Sequence, residues 1–119
     1  MTPEELRART KRFALEIIRL VSGLPRAQAG RVIGGQLLRA GTAVGANYRA
    51  ACKGRSAAEF LAKLGIVEEE ADECVFWMEL IVEGGLLPAH RVEPLRKEAT
   101  ELVAIMAASK RSLQRRRSH

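Results

Sequence analysis

The chain has 119 residues, a hydrophobic content of 47% and a formal net charge of +6. This length suits a single core and excludes a two-domain enzyme, and the charge fits an acidic partner better than a basic one. Only 4% of the residues are aromatic, and the abundance of Ala, Leu, Glu, Lys and Arg argues against an all-β fold. No apolar stretch is long enough to span a membrane, and the pattern of a secretory signal is missing. We therefore expect an all-α protein that lies in the cytoplasm and does not contact a membrane.

The first helix is predicted at about residues 3–22. Thr2, Pro3 and Glu5 form an N-terminal capping pattern, and Gly23 with Pro25 ends the helix. Between these signals the residues that face a core recur at alternating intervals of four and three, which is one stripe of a helix. They are Leu6, Thr10, Phe13, Ile17, Leu20 and Leu24.

The second helix is predicted at about residues 26–53. It is rich in Gly and Ala, although each Gly costs a helix about 1 kcal/mol against Ala. Close approach of another helix over these small residues would compensate, because it increases dispersion contacts. The residues predicted to face the core are Ile33, Leu37, Ala40, Val44, Asn47 and Ala51.

The third helix is predicted at about residues 57–83, where it begins at a capping box from Ser56 to Glu59 and ends at Gly84. The fourth is predicted at about residues 92–112. Both carry stripes with a mean spacing of about 3.5 residues, as in a gently supercoiled bundle, and short links favour antiparallel neighbours. The sequence predicts an antiparallel up-down-up-down four-helix bundle over residues 1–109, followed by a basic C-terminal tail at 110–119.

The third helix is apolar nearly all the way round near its C-terminal end, whereas one core needs only one stripe. We interpret the extra apolar residues as a contact surface between subunits, because an exposed patch of this kind marks an interaction site. The alternative is a wide core that the ends of the first and fourth helices cover. The predicted contact residues are Val75, Phe76, Trp77 and Leu80.

Two polar residues interrupt the core pattern of the second helix. Arg39 lies between two core positions and Asn47 falls on the stripe itself. Because buried polar groups need hydrogen-bond partners, we predict a network of Arg39 and Asn47 against Glu69 or Glu70, which fixes the register of the helices. The alternative is that Arg39 reaches solvent along its aliphatic stem.

Patterns for catalysis, metals and cofactors are missing from the sequence. Cys52 and Cys74 stand 22 positions apart without neighbouring ligands, unlike a zinc site. His90 and His119 are the only histidines, so a catalytic triad has little support, and the glycines do not form a phosphate-binding loop. We predict a protein without catalytic residues, cofactor or metal.

Basic residues cluster near both ends of the chain. In an antiparallel bundle of four helices these two clusters lie at the same end, where a phosphate backbone could bind. No aromatic residue accompanies them, which favours backbone binding over base stacking. The alternative is that the charges serve solubility. The candidates are Arg7, Arg9, Lys11, Arg12, Lys110, Arg111, Arg115, Arg116 and Arg117.

The middle of the chain carries short motifs in a distinctive combination. They are Gln36-Leu37-Leu38-Arg39-Ala40, Asn47, Ser56 with Glu59-Phe60, Glu69-Glu70-Ala71-Asp72-Glu73 and Trp77-Met78-Glu79-Leu80. With these motifs, the sequence from about Leu6 to Ser109 resembles the four-helix-bundle family named after proteins encoded in intervening sequences of 23S ribosomal RNA genes.

The resemblance implies a bacterial antiparallel four-helix bundle that assembles as a homopentameric ring. The same family includes accessory proteins of diversity-generating retroelements, which are basic barrels that contact a reverse transcriptase and RNA. Carried over by position, the resemblance implies structural and not catalytic roles for one group of polar residues: Gln36, Arg39, Asn47, Glu59 and Glu70.

Two functional hypotheses follow. The first is a non-enzymatic oligomeric protein that binds RNA or DNA backbone, or a nucleic-acid enzyme, through the basic ends of the ring. The second is a protein scaffold or regulatory partner that uses the acidic third helix and does not contact nucleic acid. Salt-sensitive RNA binding favours the first, and protein partners that persist after nuclease treatment favour the second.

Overall fold

Four helices make up nearly all of the protein in a computed structural model that describes residues 1–117. They are α1 (Pro3–Ser22), α2 (Gln28–Cys52), α3 (Ala57–Glu83) and α4 (Ala89–Arg117). The described part of the chain contains no strand, which confirms the all-α class. The molecule measures 52 × 21 × 20 Å, so its cross-section holds two helix diameters of about 10 Å in each direction. None of these helices is both long and apolar enough to cross a membrane.

The predicted helix starts form where the capping residues stand. The Thr2 hydroxyl accepts a hydrogen bond from the backbone N–H of Glu5 at 3.1 Å, and the Ser56 hydroxyl accepts one from the N–H of Glu59 at 3.1 Å. The Glu59 carboxylate in turn accepts a bond from the N–H of Arg55 at 2.6 Å. Glu59 therefore caps α3, which satisfies backbone donors that a helix start leaves free.

The predicted core stripe is confirmed on α1 along its whole length. The buried stripe of α3 runs from Leu64 to Ile81. On α2 the placement of Asn47 in the core is wrong. Tyr48 is the buried residue, with 2% exposure, because a step of four residues from Val44 keeps it on the core face. The Asn47 amide instead donates to the carbonyl of Ala43 in its own helix, at 2.9 Å.

The small residues of α2 allow α1 to approach closely, as predicted. A Cβ added to Gly41 would lie 2.7 Å from Cγ1 and 2.8 Å from Cγ2 of Ile17. One added to Gly34 would lie 2.9 Å from Cδ1 of Leu24. Side chains of α1 thus fill the space that a Cβ would take, and these contacts offset the low helix propensity of glycine.

Helix α4 is longer at both ends than the sequence suggested. It begins at Ala89 and includes Pro94 in its second turn, although a proline there disfavours a helix. It also continues to Arg117, so the predicted tail at 110–119 is helical through its described part, consistent with the good helix propensity of arginine. Residues 118–119 of that tail lie outside the described part of the chain.

Candidate nucleic-acid interface

A basic groove runs between α1 and α2, with a volume of about 570 Å³. Arg7 and Lys11 stand on its α1 wall, and Arg49 and Lys53 stand on its α2 wall. In each pair the residues are four apart, which places them about 6 Å from each other on one helix face. No carboxylate lines the groove, so its field is positive throughout.

The floor of the groove consists of small side chains, including Ala8, Ala14 and Ala46. Gly45 also lines it, and a Cβ added there would lie 3.2 Å from the carbonyl oxygen of Thr10. The helix backbones are therefore close at the floor, while the long basic side chains rise above it. This shape suits a charged backbone lying along the groove and offers no aromatic ring for base stacking.

The four cations of the groove are free of ion pairs within residues 1–117. Two other predicted nucleic-acid residues are not free. Arg9 binds both carboxylate oxygens of Glu98 at 2.7 Å, and this hydrogen bonding raises the pKa of its guanidinium. Lys110 binds Glu68 at 2.8 Å. Arg9 and Lys110 thus hold helices together and contribute less to a phosphate site.

The remaining candidate cations are exposed, and all but Arg12 lie in the last two turns of α4. Met1, Phe60 and Arg116 line a common hollow of about 490 Å³, so the start of α1, the start of α3 and the end of α4 meet there. The two chain ends that carry basic clusters thus lie near each other at this hollow. The exposed candidates outside the groove are Arg12, Arg111, Arg115, Arg116 and Arg117.

Arg39 is the centre of the observed polar network. Its guanidinium donates to Glu70 at 3.1 Å and to Glu73, and its Nε donates to Gln36 at 3.4 Å. Hydrogen bonding to Glu70, and then to Glu73, raises the pKa of the guanidinium. Of the predicted members, Gln36, Arg39 and Glu70 come together.

The other predicted members of the network lie elsewhere. Glu69 is exposed and forms no ion pair within the described residues, Glu59 caps α3, and Asn47 bonds its own helix. The sequence reasoning missed Glu73, although its position three residues after Glu70 places both carboxylates on one helix face. The network therefore joins α2 to α3 on the protein surface and not in the core.

The predicted subunit-contact residues form a partly exposed aromatic surface on α3. Phe76 is 50% exposed, and its ring meets that of Trp77 edge to face with centroids 5.0 Å apart. The Trp77 indole donates to Glu73 at 3.0 Å. Val75 and Trp77 pack against the core, while Leu80 is half-buried. Part of this surface is thus covered by the rest of the chain, while the Phe76 ring stays half exposed.

Tyr48 is the buried polar residue that the sequence reasoning did not identify. Burial raises the pKa of its hydroxyl to about 12, with Cys52 contributing. Burial likewise raises the pKa of the Cys74 thiol to about 12, with the nearby Glu70 carboxylate adding to the effect. Both groups are protonated at neutral pH, so the Cys74 thiol is a poor nucleophile. Residues 1–117 contain no group of His, Cys, Asp and Glu that could hold a metal ion.

We predict that the protein loses stability between about pH 9 and pH 12. The folded pKa values of Tyr48 and Cys74 are raised to about 12, from ordinary values of 10.0 and 9.0. The folded state therefore keeps protons that the unfolded state releases, and this stabilisation is complete below pH 9 and falls as pH rises to 12. Urea unfolding across this range checks the slope.

The matched control for this prediction is Tyr48→Phe, which should flatten the slope between about pH 10 and pH 12. Because Tyr48 is the only tyrosine, tyrosinate absorbance reports its ionisation directly. A titration midpoint near 10 in the folded protein would contradict the prediction.

These features describe an all-α protein of four packed helices, with a basic groove and a surface network of ion pairs. The chain belongs to the family of 23S rRNA-intervening sequence proteins, whose family model matches residues 5–108. It is also similar to a crystal structure of a protein with unknown function from the S23 ribosomal protein family of Bacteroides thetaiotaomicron. That similarity has a TM-score of 0.86 and 30% sequence identity, and covers 93% of this chain and 99% of the other. No curated protein matches the chain at a significant level.

Proposed function

We propose that this chain is a non-enzymatic protein that binds the phosphate backbone of RNA or DNA and assembles into a homopentameric ring. Each subunit is an antiparallel up-down-up-down bundle. The observation that carries the proposal is the basic groove, where Arg7, Lys11, Arg49 and Lys53 surround a floor of small residues without a carboxylate. Phosphate contacts supply most of the affinity of sequence-independent binding, and these residue types provide them.

The antiparallel arrangement is supported by the order of the contacts between helices. Ile17 faces Gly41, whereas Val21, later in α1, faces Gly34, earlier in α2. Met1, just before α1, and Arg116, near the end of α4, line the same hollow. The ring is supported by the apolar surface left on α3, where Phe76 is half exposed. We propose the cytoplasm as the location of the protein, where it would meet a nucleic-acid partner.

The proposal that the protein is not an enzyme is supported by the chemistry of its reactive groups. The Cys74 thiol is buried and its pKa is raised, and the side chain of His90 forms no hydrogen bond or ion pair within residues 1–117. A catalytic site needs a nucleophile, a base and a group that orients the base. The groove instead offers cations, which bind phosphate without changing it.

We predict that the double variant Arg49→Gln/Lys53→Gln binds RNA on the order of tenfold more weakly at low salt. The slope of log affinity against log salt should also fall by about 1.5, since each lost phosphate contact to a single strand contributes about 0.7. Fluorescence anisotropy with labelled single-stranded RNA at several salt concentrations measures both effects. The same measurement with single-stranded DNA of the same sequence shows whether the type of sugar changes the affinity.

The matched control removes the same charge near the start of α2, with Arg26→Gln/Arg31→Gln, where Arg26 lies just before the helix and Arg31 lies in its first turn. Both residues are exposed and neither lines the groove, so the control should bind nearly as tightly as the natural protein. The variant Arg115→Gln/Arg116→Gln/Arg117→Gln tests whether the footprint continues along α4. Absence of binding at low salt, or equal losses in the groove variant and its control, would refute the proposal.

The second candidate function is a protein scaffold that uses α3. Glu69 and Asp72 are exposed on this helix and free of ion pairs within residues 1–117, which favours a basic protein partner. Purification from cells with nuclease treatment separates the two functions. Partners that remain after nuclease and depend on Glu69 and Asp72 would favour the scaffold.

A further inference from the structure

The exposed face of α1 that borders the basic groove carries a row of four residues in a simple order. Arg7 and Lys11 come first and Leu15 and Ile18 follow. Intervals of four, four and three keep the row on one face over about three helical turns. Leu15 and Ile18 are each 43% exposed, so this face presents two cations and then two apolar side chains to solvent.

The outward face of α3 carries a complementary row. Glu69 and Asp72 come first and Phe76 and Leu80 follow, at intervals of three, four and four. This row also covers about three turns of one face. Phe76 is 50% exposed and Leu80 is half-buried, so α3 presents two carboxylates and then two apolar side chains.

Glu69 and Asp72 differ from the other carboxylates between residues 68 and 73, which are held by neighbouring helices. Glu70 and Glu73 are held by Arg39 on the side towards α2, and Glu68 is held by Lys110 on the side towards α4. Glu69 and Asp72 form no ion pair within the described part of the chain. The charge on the outward row is therefore available to a second molecule.

We propose that the α1 row of one copy packs against the α3 row of the next copy, with the two helices running in the same direction. In this register Arg7 and Lys11 meet Glu69 and Asp72. The apolar pairs of both rows then meet each other, and their exposed surface is buried. Charge complementarity selects the partner and the register, while the apolar pairs supply the hydrophobic contact.

The proposed contact joins two different surfaces, so it is heterologous and repeats from copy to copy until a ring closes. This inference rests on the proposed oligomer and specifies the contact between its neighbouring subunits, which we call the seam. It also divides the basic groove. Arg7 and Lys11 on the α1 wall face the neighbouring subunit, whereas Arg49 and Lys53 on the α2 wall remain for nucleic acid.

Charge reversal in one row and then in both tests the seam. Arg7→Glu/Lys11→Glu places acids against acids, and Glu69→Arg/Asp72→Lys places cations against cations. Each double variant should raise the concentration at half assembly on the order of a hundredfold, because opposed like charges are strongly unfavourable. The quadruple variant with both reversals restores opposite charges and should assemble nearly as the natural protein does. Analytical ultracentrifugation over a dilution series measures the mass.

The control is Arg12→Glu/Arg19→Glu, which makes the same change on α1 at exposed positions outside the row and should leave assembly intact. The helical signal in far-ultraviolet circular dichroism checks that every variant folds. Assembly that survives both double reversals, or a quadruple variant that stays dissociated, would overturn the seam. A natural protein that is monomeric at every concentration would overturn both ring and seam, while the Arg49 and Lys53 variants test nucleic-acid binding independently.

Discussion

Replacing Gly41 with Ala is expected to lower the free energy of unfolding by about 2 kcal/mol, a typical cost of overpacking a core. The new methyl group would lie 2.7 Å and 2.8 Å from Cγ1 and Cγ2 of Ile17. Ile17 is fully buried, and its branched Cβ leaves it few alternative rotamers. The helices must separate locally, and this cost outweighs the gain of up to about 1 kcal/mol from replacing Gly in a helix. Urea denaturation measures the change.

Gly35→Ala is the matched control, because it changes the same atoms in the same helix without a steric neighbour. A Cβ at Gly35 would meet nothing within 4 Å, so alanine there should stabilise the protein by up to about 1 kcal/mol. A change of the free energy of unfolding in the same direction for Gly41→Ala and Gly35→Ala would contradict this prediction. In addition, Gly41→Ala combined with Ile17→Ala should cost less than the sum of the single changes, because the second change removes the atoms that collide.

The helices that the sequence predicted best are those with signals at both ends. The predicted range 3–22 matches α1 (Pro3–Ser22), and 57–83 matches α3 (Ala57–Glu83). Thr2 and Ser56 cap these two helices, and capping depends on residues within one turn. Helix α2 has no side-chain cap at Ala27, and its predicted range of 26–53 is longer than the observed Gln28–Cys52.

The ends of α4 depended on information that the sequence does not carry locally. Proline is a strong signal against a helix interior, and Pro94 displaced the predicted start to residue 92, although the helix begins at Ala89. Lys110 stood in the predicted tail, and the structure holds it at Glu68 of α3. A tertiary contact of this kind follows from packing and not from helix propensity.

The sequence predicted a basic candidate site but not which of its cations would be paired with carboxylates. The sequence showed where cations cluster, but not which of them meet a carboxylate, because that depends on the rotation of each helix about its axis. Arg7 and Lys11 lie on the groove side of α1, whereas Arg9 points to Glu98 on α4. At Asn47 and Tyr48 the predicted spacing of three from Val44 was wrong, and a spacing of four placed the larger ring in the core.

Replacing Arg9 with Ala is expected to cost about 2 kcal/mol of stability, in the range found for hydrogen bonds to charged groups. Its guanidinium binds both oxygens of Glu98 at 2.7 Å, and the two side chains are only 16% and 24% exposed. The variant leaves the Glu98 carboxylate without this partner and removes the aliphatic stem of Arg9 from the space between α1 and α4. Thermal and urea unfolding measure the loss.

Arg12→Ala serves as the control for Arg9→Ala, because Arg12 is exposed and forms no ion pair within residues 1–117, so its loss should change stability by less than about 0.5 kcal/mol. The double variant Arg9→Ala/Glu98→Ala should cost less than the two single changes together, since both remove the same interaction. Arg9→Ala should also leave RNA affinity nearly unchanged, unlike the change at Arg49 and Lys53. Loss of RNA binding without loss of stability would place Arg9 in the nucleic-acid site and contradict its assignment to the contact between α1 and α4.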